Sequence, residues 1–331
     1  MQVVKKSLRF VVPPLAVGMV IAATCDFIMD CNDPEPVHYS PQLAPTAIFV
    51  GGTAGIGRAM VENFGNRTLG DANIVIIGRN RAAAEEIIAQ LPKTKDPNVK
   101  HEFVQCDVSR MKNVREATQQ VLSRHPKINF LVLTAGLMST KGRNETEEGL
   151  DAKLAVHYYS RWAFIKGFMP ALEKAIEGKE DGKVISVLAA GEGQGRIDMT
   201  DLGLARTFSL SRAASHAATY NDLMVDEFAS RHPGLTFIHA YPGFVRTNLL
   251  SSSDSSALQI AGPVLNYLLS PLMLRPNRCA TRMWAGVFNH TGGAHQLSSL
   301  GRGLETPFHG TLDQRQKLWA HTAQITGVTS K

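Results

Sequence analysis

The sequence predicts an α/β fold, a doubly wound parallel sheet with helices on both faces. Three observations predict it. Short, nearly continuous apolar runs recur along the chain, as strands buried on both faces require. Longer stretches with apolar residues three and four apart fall between those runs. A glycine-rich turn joins the first run to the first such stretch. Strand–helix alternation of this kind gives right-handed crossovers and one layered core.

The elements follow in order. Ala47-Ile48-Phe49-Val50 is the first strand, ended by Gly51-Gly52. Ile74 to Ile77 is the second, and Phe103 to Cys106 a weaker third. Ile128 to Leu133, Val184 to Leu188 and Leu235 to Ala240 complete six strands. Helical spacing appears at Arg58–Phe64, Arg81–Gln90, Val114–Arg124, Asp151–Ala175 and Ser211–Ser230. No internal repeat or linker interrupts 46–310, which reads as one domain; 1–45 is an N-terminal extension and 311–331 a C-terminal tail. The apolar stretch Ala257–Leu274, after the serine-rich 251–256, has no strand partner. It reads either as a helical lid over a substrate cleft or as a helix packed on a neighbouring subunit, and the sequence leaves both open.

Composition narrows the function. Of 331 residues, 44% are hydrophobic and 19% charged, enough for a large core. Lys and Arg exceed Asp and Glu by 35 to 29, a net +6, but they are dispersed, so nucleic-acid binding is not expected. Four scattered cysteines make no disulfide framework. With neither a CxxC pair nor HExxH, no metal site is expected.

In the extension, Lys5, Lys6 and Arg9 precede an apolar segment over 10–25, followed by Asp26, Asp30, Asp33 and Glu35. Residues 27–29 extend the segment, giving possible membrane association through 10–29, as an anchor or uncleaved signal. Its apolar run falls short of the roughly 20 residues that span a bilayer, so a segment packed on the domain is the alternative. The charge order places the N-terminus in the cytosol and favours a membrane-associated protein of the endoplasmic-reticulum type, with a cytoplasmic protein as the alternative. Sequons at Asn66, Asn144 and Asn289 matter only in the first case.

The strongest chemical signal is Gly51-Gly52-Thr53-Ala54-Gly55-Ile56-Gly57, between a strand and a helix. Glycines let the backbone approach a pyrophosphate, and the helix N-terminus supplies N–H donors. The turn resembles the TGxxxGIG fingerprint of the short-chain dehydrogenase/reductase family. Cys106-Asp107-Val108, Leu133-Thr134-Ala135-Gly136 and Tyr241-Pro242-Gly243-Phe244-Val245-Arg246-Thr247 resemble its later motifs, in the same order, over about 46–300. The resemblance implies a Rossmann-type domain. It implies a dinucleotide site at Gly51, Thr53, Gly55, Ile56, Gly57, Asp107, Ala135, Gly136, Pro242, Gly243, Val245 and Thr247. Arg79 ends the second strand where an acidic residue would hold a ribose 2′-hydroxyl. A guanidinium there suits a 2′-phosphate, so NADP(H) is favoured over NAD(H), with Arg58 as a possible helper.

The family's acid/base pair is missing. None of the tyrosines at 39, 158, 159, 220, 241 and 267 has lysine four residues later. Ala213–Asn221 resembles the family's AYxxSKxAN, which places the usual tyrosine and lysine on Ala214 and Ala218. The usual serine falls on Ala189, and the helical asparagine on His157. A rebuilt site is one reading. His157 has a suitable intrinsic pKa, with Lys153 and Arg161 on its helix face, and Ser215 is the neighbouring hydroxyl. Ser211, His216 and Asn221 lie close by. Asn221 returns to within about 20° of the Ala214 face. The other reading is a degenerate dinucleotide-binding pseudoenzyme or scaffold. No GxSxG elbow supports a hydrolase. VSVLAAGEG, HAATYNDLM and HAYPGFVRT are also similar to atypical fungal members of the family. That similarity tilts the reading toward a redox enzyme on a carbonyl or alcohol of an apolar small molecule, a terpenoid or polyketide of specialised metabolism. A homo-oligomer is expected.

Overall fold

The computed structural model describes residues 44–328 apart from 95, 194–196, 250–252, 306 and 309. The apolar segment of the extension lies outside the described residues. Seven parallel strands form one sheet in the order β3-β2-β1-β4-β5-β6-β7. They are β1 (Thr46–Val50), β2 (Asn73–Gly78), β3 (His101–Gln105), β4 (Phe130–Leu133), β5 (Lys183–Val187), β6 (Thr236–Ala240) and β7 (Gly293–Leu297). The strand order reverses between β1 and β4. In an open parallel sheet the crevice at such a switch point, beyond the strands' C-terminal ends, is where ligands bind.

Alternation along the strands feeds two separate cores. Ala47 and Phe49 of β1 point to one face, Ile48 and Val50 to the other. The first face is covered by α1 (Gly55–Arg67), α2 (Arg81–Gln90) and α7 (Pro276–Asn289). The second is covered by α3 (Met111–Leu122), α4 (Ser160–Glu177), α5 (Leu210–Arg231) and α8 (Leu312–Thr326). α6 (Ser256–Leu269) stands apart from both. The sequence's six strands and five helices are all present. β7, α7 and α8 are additions. β7 reads Gly-Ala-His-Gln-Leu, a half-buried edge strand without an apolar run, which leaves periodicity nothing to register.

The segment read as a tail is structural. α8 opens with a capping box between Thr311 and Gln314 and ends at Gly327, whose φ is +63°. Leu318 and Trp319 are buried in the second core. Tyr158 bonds Thr322 at 2.7 Å, and Tyr159 bonds His321 at 2.9 Å. The C-terminus thereby latches onto the helix that leads to the site.

Trp284 of α7 organises the first core. It stacks on Phe64 and Phe288 and meets Phe49 and Phe130 edge-on. Its indole N–H donates to the Met60 carbonyl at 3.0 Å. Trp284→Ala leaves a cavity under the glycine-turn helix and removes the second bond to the Met60 carbonyl. The expected loss is about 3–5 kcal/mol of stability, read from the denaturant midpoint. A loss below about 1 kcal/mol would show that the cluster does not bear on folding.

Candidate functional site

The site begins where β1 ends. Gly51, at φ +88°, donates its N–H to the Ile77 carbonyl at 2.8 Å. A Cβ there would lie 2.5 Å from Ala135 N, and one on Gly57 would lie 2.3 Å from Gly51 O. Neither position admits a side chain, so the turn and the start of α1 press against the end of β4. Gly55, at φ +55°, rests under the Thr247 methyl. The N-cap of α1 is Ala54, which has no side chain to cap the helix, and its first turn carries no acidic residue. By contrast α2, α5 and α8 are capped by Asn80, Ser209 and Thr311. Uncapped donors beside a cradle that excludes side chains fit a pyrophosphate.

The other expected binding residues lie around this crevice. Thr53 packs against Gly78 at the end of β2, which brings Arg79 to the edge of the turn. Arg79 is exposed and makes no hydrogen bond or ion pair among the described residues. Arg58 is already paired within the protein. Its guanidinium reaches away to Glu62 at 2.7 Å and Glu86 at 3.0 Å. Asp107 follows β3 and accepts from the Ser109 N–H and hydroxyl through Oδ1. Ala135 and Gly136 follow β4. Pro242, Gly243 at φ +75°, Val245 and Thr247 follow β6. Ile56 is half-buried in the first turn of α1.

The catalytic side is built differently from the expectation. The chain enters α4 through the helical turn Ala152–Leu154, capped by Asp151, and a π-helical stretch, Ala155–Tyr159. π-Bulges gather at functional sites because they release a carbonyl from the helical ladder. The His157 carbonyl accepts from the Asn221 side chain at 2.8 Å. The His157 ring accepts the Leu137 N–H through Nε2 at 3.0 Å. Burial first, then Arg161 and Lys153, push its pKa down to about 3. This ring is therefore neutral near pH 7, with its Nε2 held by the Leu137 N–H. Ser215 is half-buried on α5. Ala214 beside it is exposed, and Ala218 is buried.

Arg161 was named only as a neighbour of His157, yet it dominates the floor. It is 2% exposed and meets no carboxylate among the described residues. One terminal nitrogen donates to Leu133 O, Val187 O and Ser186 Oγ, the other to Ala135 O. Ser186 in turn donates to Asn221 Oδ1 at 2.6 Å. The helical arithmetic correctly put Asn221 on the site face, where it joins β5 to the π-helical stretch. Burial lowers the Arg161 pKa to about 9, so it remains a cation at neutral pH. A second buried set, missed from the sequence, supports the Ala189 position. His239 on β6 accepts the Ala189 N–H at 3.1 Å and bonds Asp222 at 2.6 Å, where Gln296 also donates. A histidine inside an apolar strand was the available signal.

The lowered His157 pKa has a defined pH consequence. The unfolded ring takes up its proton near 6.5, the folded ring only near 3. Its contribution to stability is complete above the unfolded value and is lost as pH falls through that window. His157→Asn keeps an acceptor for Leu137 and removes the titration. Denaturation across pH should then show a flatter fall below pH 6.5. An unaltered slope would assign acid sensitivity elsewhere.

The comparisons with known proteins agree with this architecture. The sequence model for short chain dehydrogenase matches residues 45–257. Oxidoreductase AN1596 of Emericella nidulans is 39% identical over 69% of this chain, a match that spans 66% of that protein, just under two thirds. Human polyprenol dehydrogenase is 24% identical over 89% of this chain and 88% of its own length. An alcohol dehydrogenase from Thermococcus sibiricus, solved with 5-hydroxy-NADP, superposes with a TM-score of 0.55 at 19% identity, covering 80% of this chain and all (100%) of that one. A family match over most of the chain, on a seven-stranded parallel sheet with the glycine turn at its switch point, makes this protein a member of the short-chain dehydrogenase family of oxidoreductases.

Proposed function

We propose that the protein is an NADP(H)-dependent oxidoreductase acting on a carbonyl or alcohol of an apolar small molecule, such as a terpenoid or polyketide. Arg79 carries the cofactor choice. It is an exposed guanidinium beside the glycine turn, unpartnered among the described residues, where a 2′-phosphate gives it charge-assisted bonds and a bare ribose gives it none. Uncapped α1 donors receive the pyrophosphate, and Asp107 faces the adenine end. When bound, the dinucleotide supplies or accepts the hydride. The protein orients it, and orientation alone provides much of such a rate. Ser215, half-buried on α5 beside Ala214, is the hydroxyl assigned to the substrate carbonyl in this reading.

The substrate class rests on the apolar α6 and on the human relative, which is named for a polyprenol. Association with a membrane of the endoplasmic-reticulum type through residues 10–29, and assembly as a homo-oligomer, belong to the same proposal. No described helix is long and apolar enough to cross a membrane. A binding-only protein is the second reading, favoured by alanine at positions 189, 214 and 218 together with the engaged His157.

Arg79→Gln should weaken NADPH binding about tenfold or more, read by fluorescence titration. NADH binding should change by no more than about twofold. Equal losses for both cofactors would remove the 2′-phosphate assignment. Gly57→Trp should abolish both. NADPH oxidation on a panel of apolar carbonyls then separates the readings, since binding without turnover of any substrate selects the second.

A further inference from the structure

α6 is apolar almost all round, and it leaves one broad apolar stripe facing outward. Ile260, Val264, Tyr267 and Leu268 are 79%, 60%, 78% and 66% exposed. At 3.6 residues per turn they fall within an arc of about 100°. Gln259 and Asn266 lie within about 20° of each other, on the far side of the helix. These polar side chains bond the protein, Gln259 to Ser253 O at 2.8 Å and Asn266 to Thr247 O at 3.0 Å. A helix facing water puts its apolar stripe inward, and this one puts it outward. Phe244 and Leu272 add exposed apolar surface at the root of the excursion.

The excursion is fixed at its root. Leu274 donates to Phe244 O at 2.7 Å, and Arg246 N–H donates to Leu274 O at 3.0 Å. Charge along the excursion is mostly positive: Asp254, held by Ser139, stands just before the helix, and from Ser255 to Leu304 the Asp, Glu, Lys and Arg positions are all arginine. Arg246 and Arg275 are exposed beside the apolar stripe.

From this we infer that α6, with Phe244 and Leu272, is a membrane-docking helix that lies in the interface of an anionic bilayer. An outward apolar stripe with a tyrosine in it and arginines beside it matches an interfacial helix. The arginines gain from anionic headgroups. A second copy of the chain fits less well. In a two-fold contact the same patch faces itself, and the arginines would meet one another. The inference does not rest on the cofactor or the chemistry. It places the entrance beside Thr247 and Gly55 at a lipid surface.

The test uses the full-length chain carrying Y267W. Trp162, Trp284 and Trp319 are buried and give a constant background. With phosphatidylcholine vesicles containing phosphatidylserine, the probe should shift to shorter wavelength and be quenched by brominated acyl chains. Pure phosphatidylcholine should give a weaker response. Because the probe sits on α6, attachment through residues 10–29 alone does not produce the quenching. I260E with L268E, both at exposed positions, should lower the partition read by the probe roughly tenfold or more. Three results would overturn the inference: an unquenched probe, quenching that survives the double substitution, or a shift that follows protein concentration without lipid. The last would assign the stripe to a second copy.

Discussion

A guanidinium with no carboxylate opposite it among the described residues holds the centre of this molecule together. Arg161 gathers the carbonyls of Leu133, Ala135 and Val187 and the Ser186 hydroxyl, the outgoing ends of β4 and β5. A buried charge is costly unless its donors are met, and here backbone carbonyls and the Ser186 hydroxyl meet both terminal nitrogens. The position of Ala135 follows from that grip, and the glycine turn depends on Ala135. Gly51 can close against it only because neither backbone carries an obstruction. The cofactor side and the catalytic side thus share one fixed point. The same cation helps keep the His157 ring uncharged. One buried residue therefore sets both the shape and the electrostatics of the crevice floor.

The pattern of buried strands made the fold legible. β1, β2, β4, β5 and β6 are sheathed on both faces, and such strands must be apolar throughout. Gly51, Gly55 and Gly57 were legible for a related reason, since close backbone approach leaves no alternative residue. What escaped were elements whose burial is one-sided or late. β7 is an edge strand with polar residues, and α8 earns its place through Leu318, Trp319 and two tyrosine contacts made by residues far upstream. The Arg161 and His239–Asp222 networks escaped because sequence distance hides them. Asn221 was found because a single helix relates it to Ala214.

The substituted site has its own logic. Where the resemblance calls for a tyrosine and a lysine, α5 presents Ala214 and Ala218, and Asn221 spans from Ser186 to the His157 carbonyl. A direct side-chain bridge now joins the π-helical stretch to β5. The buried polar groups are thereby assigned to holding the backbone in place.

The pairing of Leu274 with Phe244 and Arg246 brings the two ends of a long detour to one point on the scaffold. Chain beyond such a closure adds little entropic cost as it lengthens, because that cost grows only with the logarithm of loop size. The stretch from 255 to 273 can therefore be exchanged at little cost to β6, α7 or the glycine turn, as long as Thr247 keeps its place over Gly55. In evolutionary terms the detour is a cassette. Descendants of this scaffold can acquire new surfaces and new clientele by rewriting that stretch, while the dinucleotide crevice is inherited unchanged.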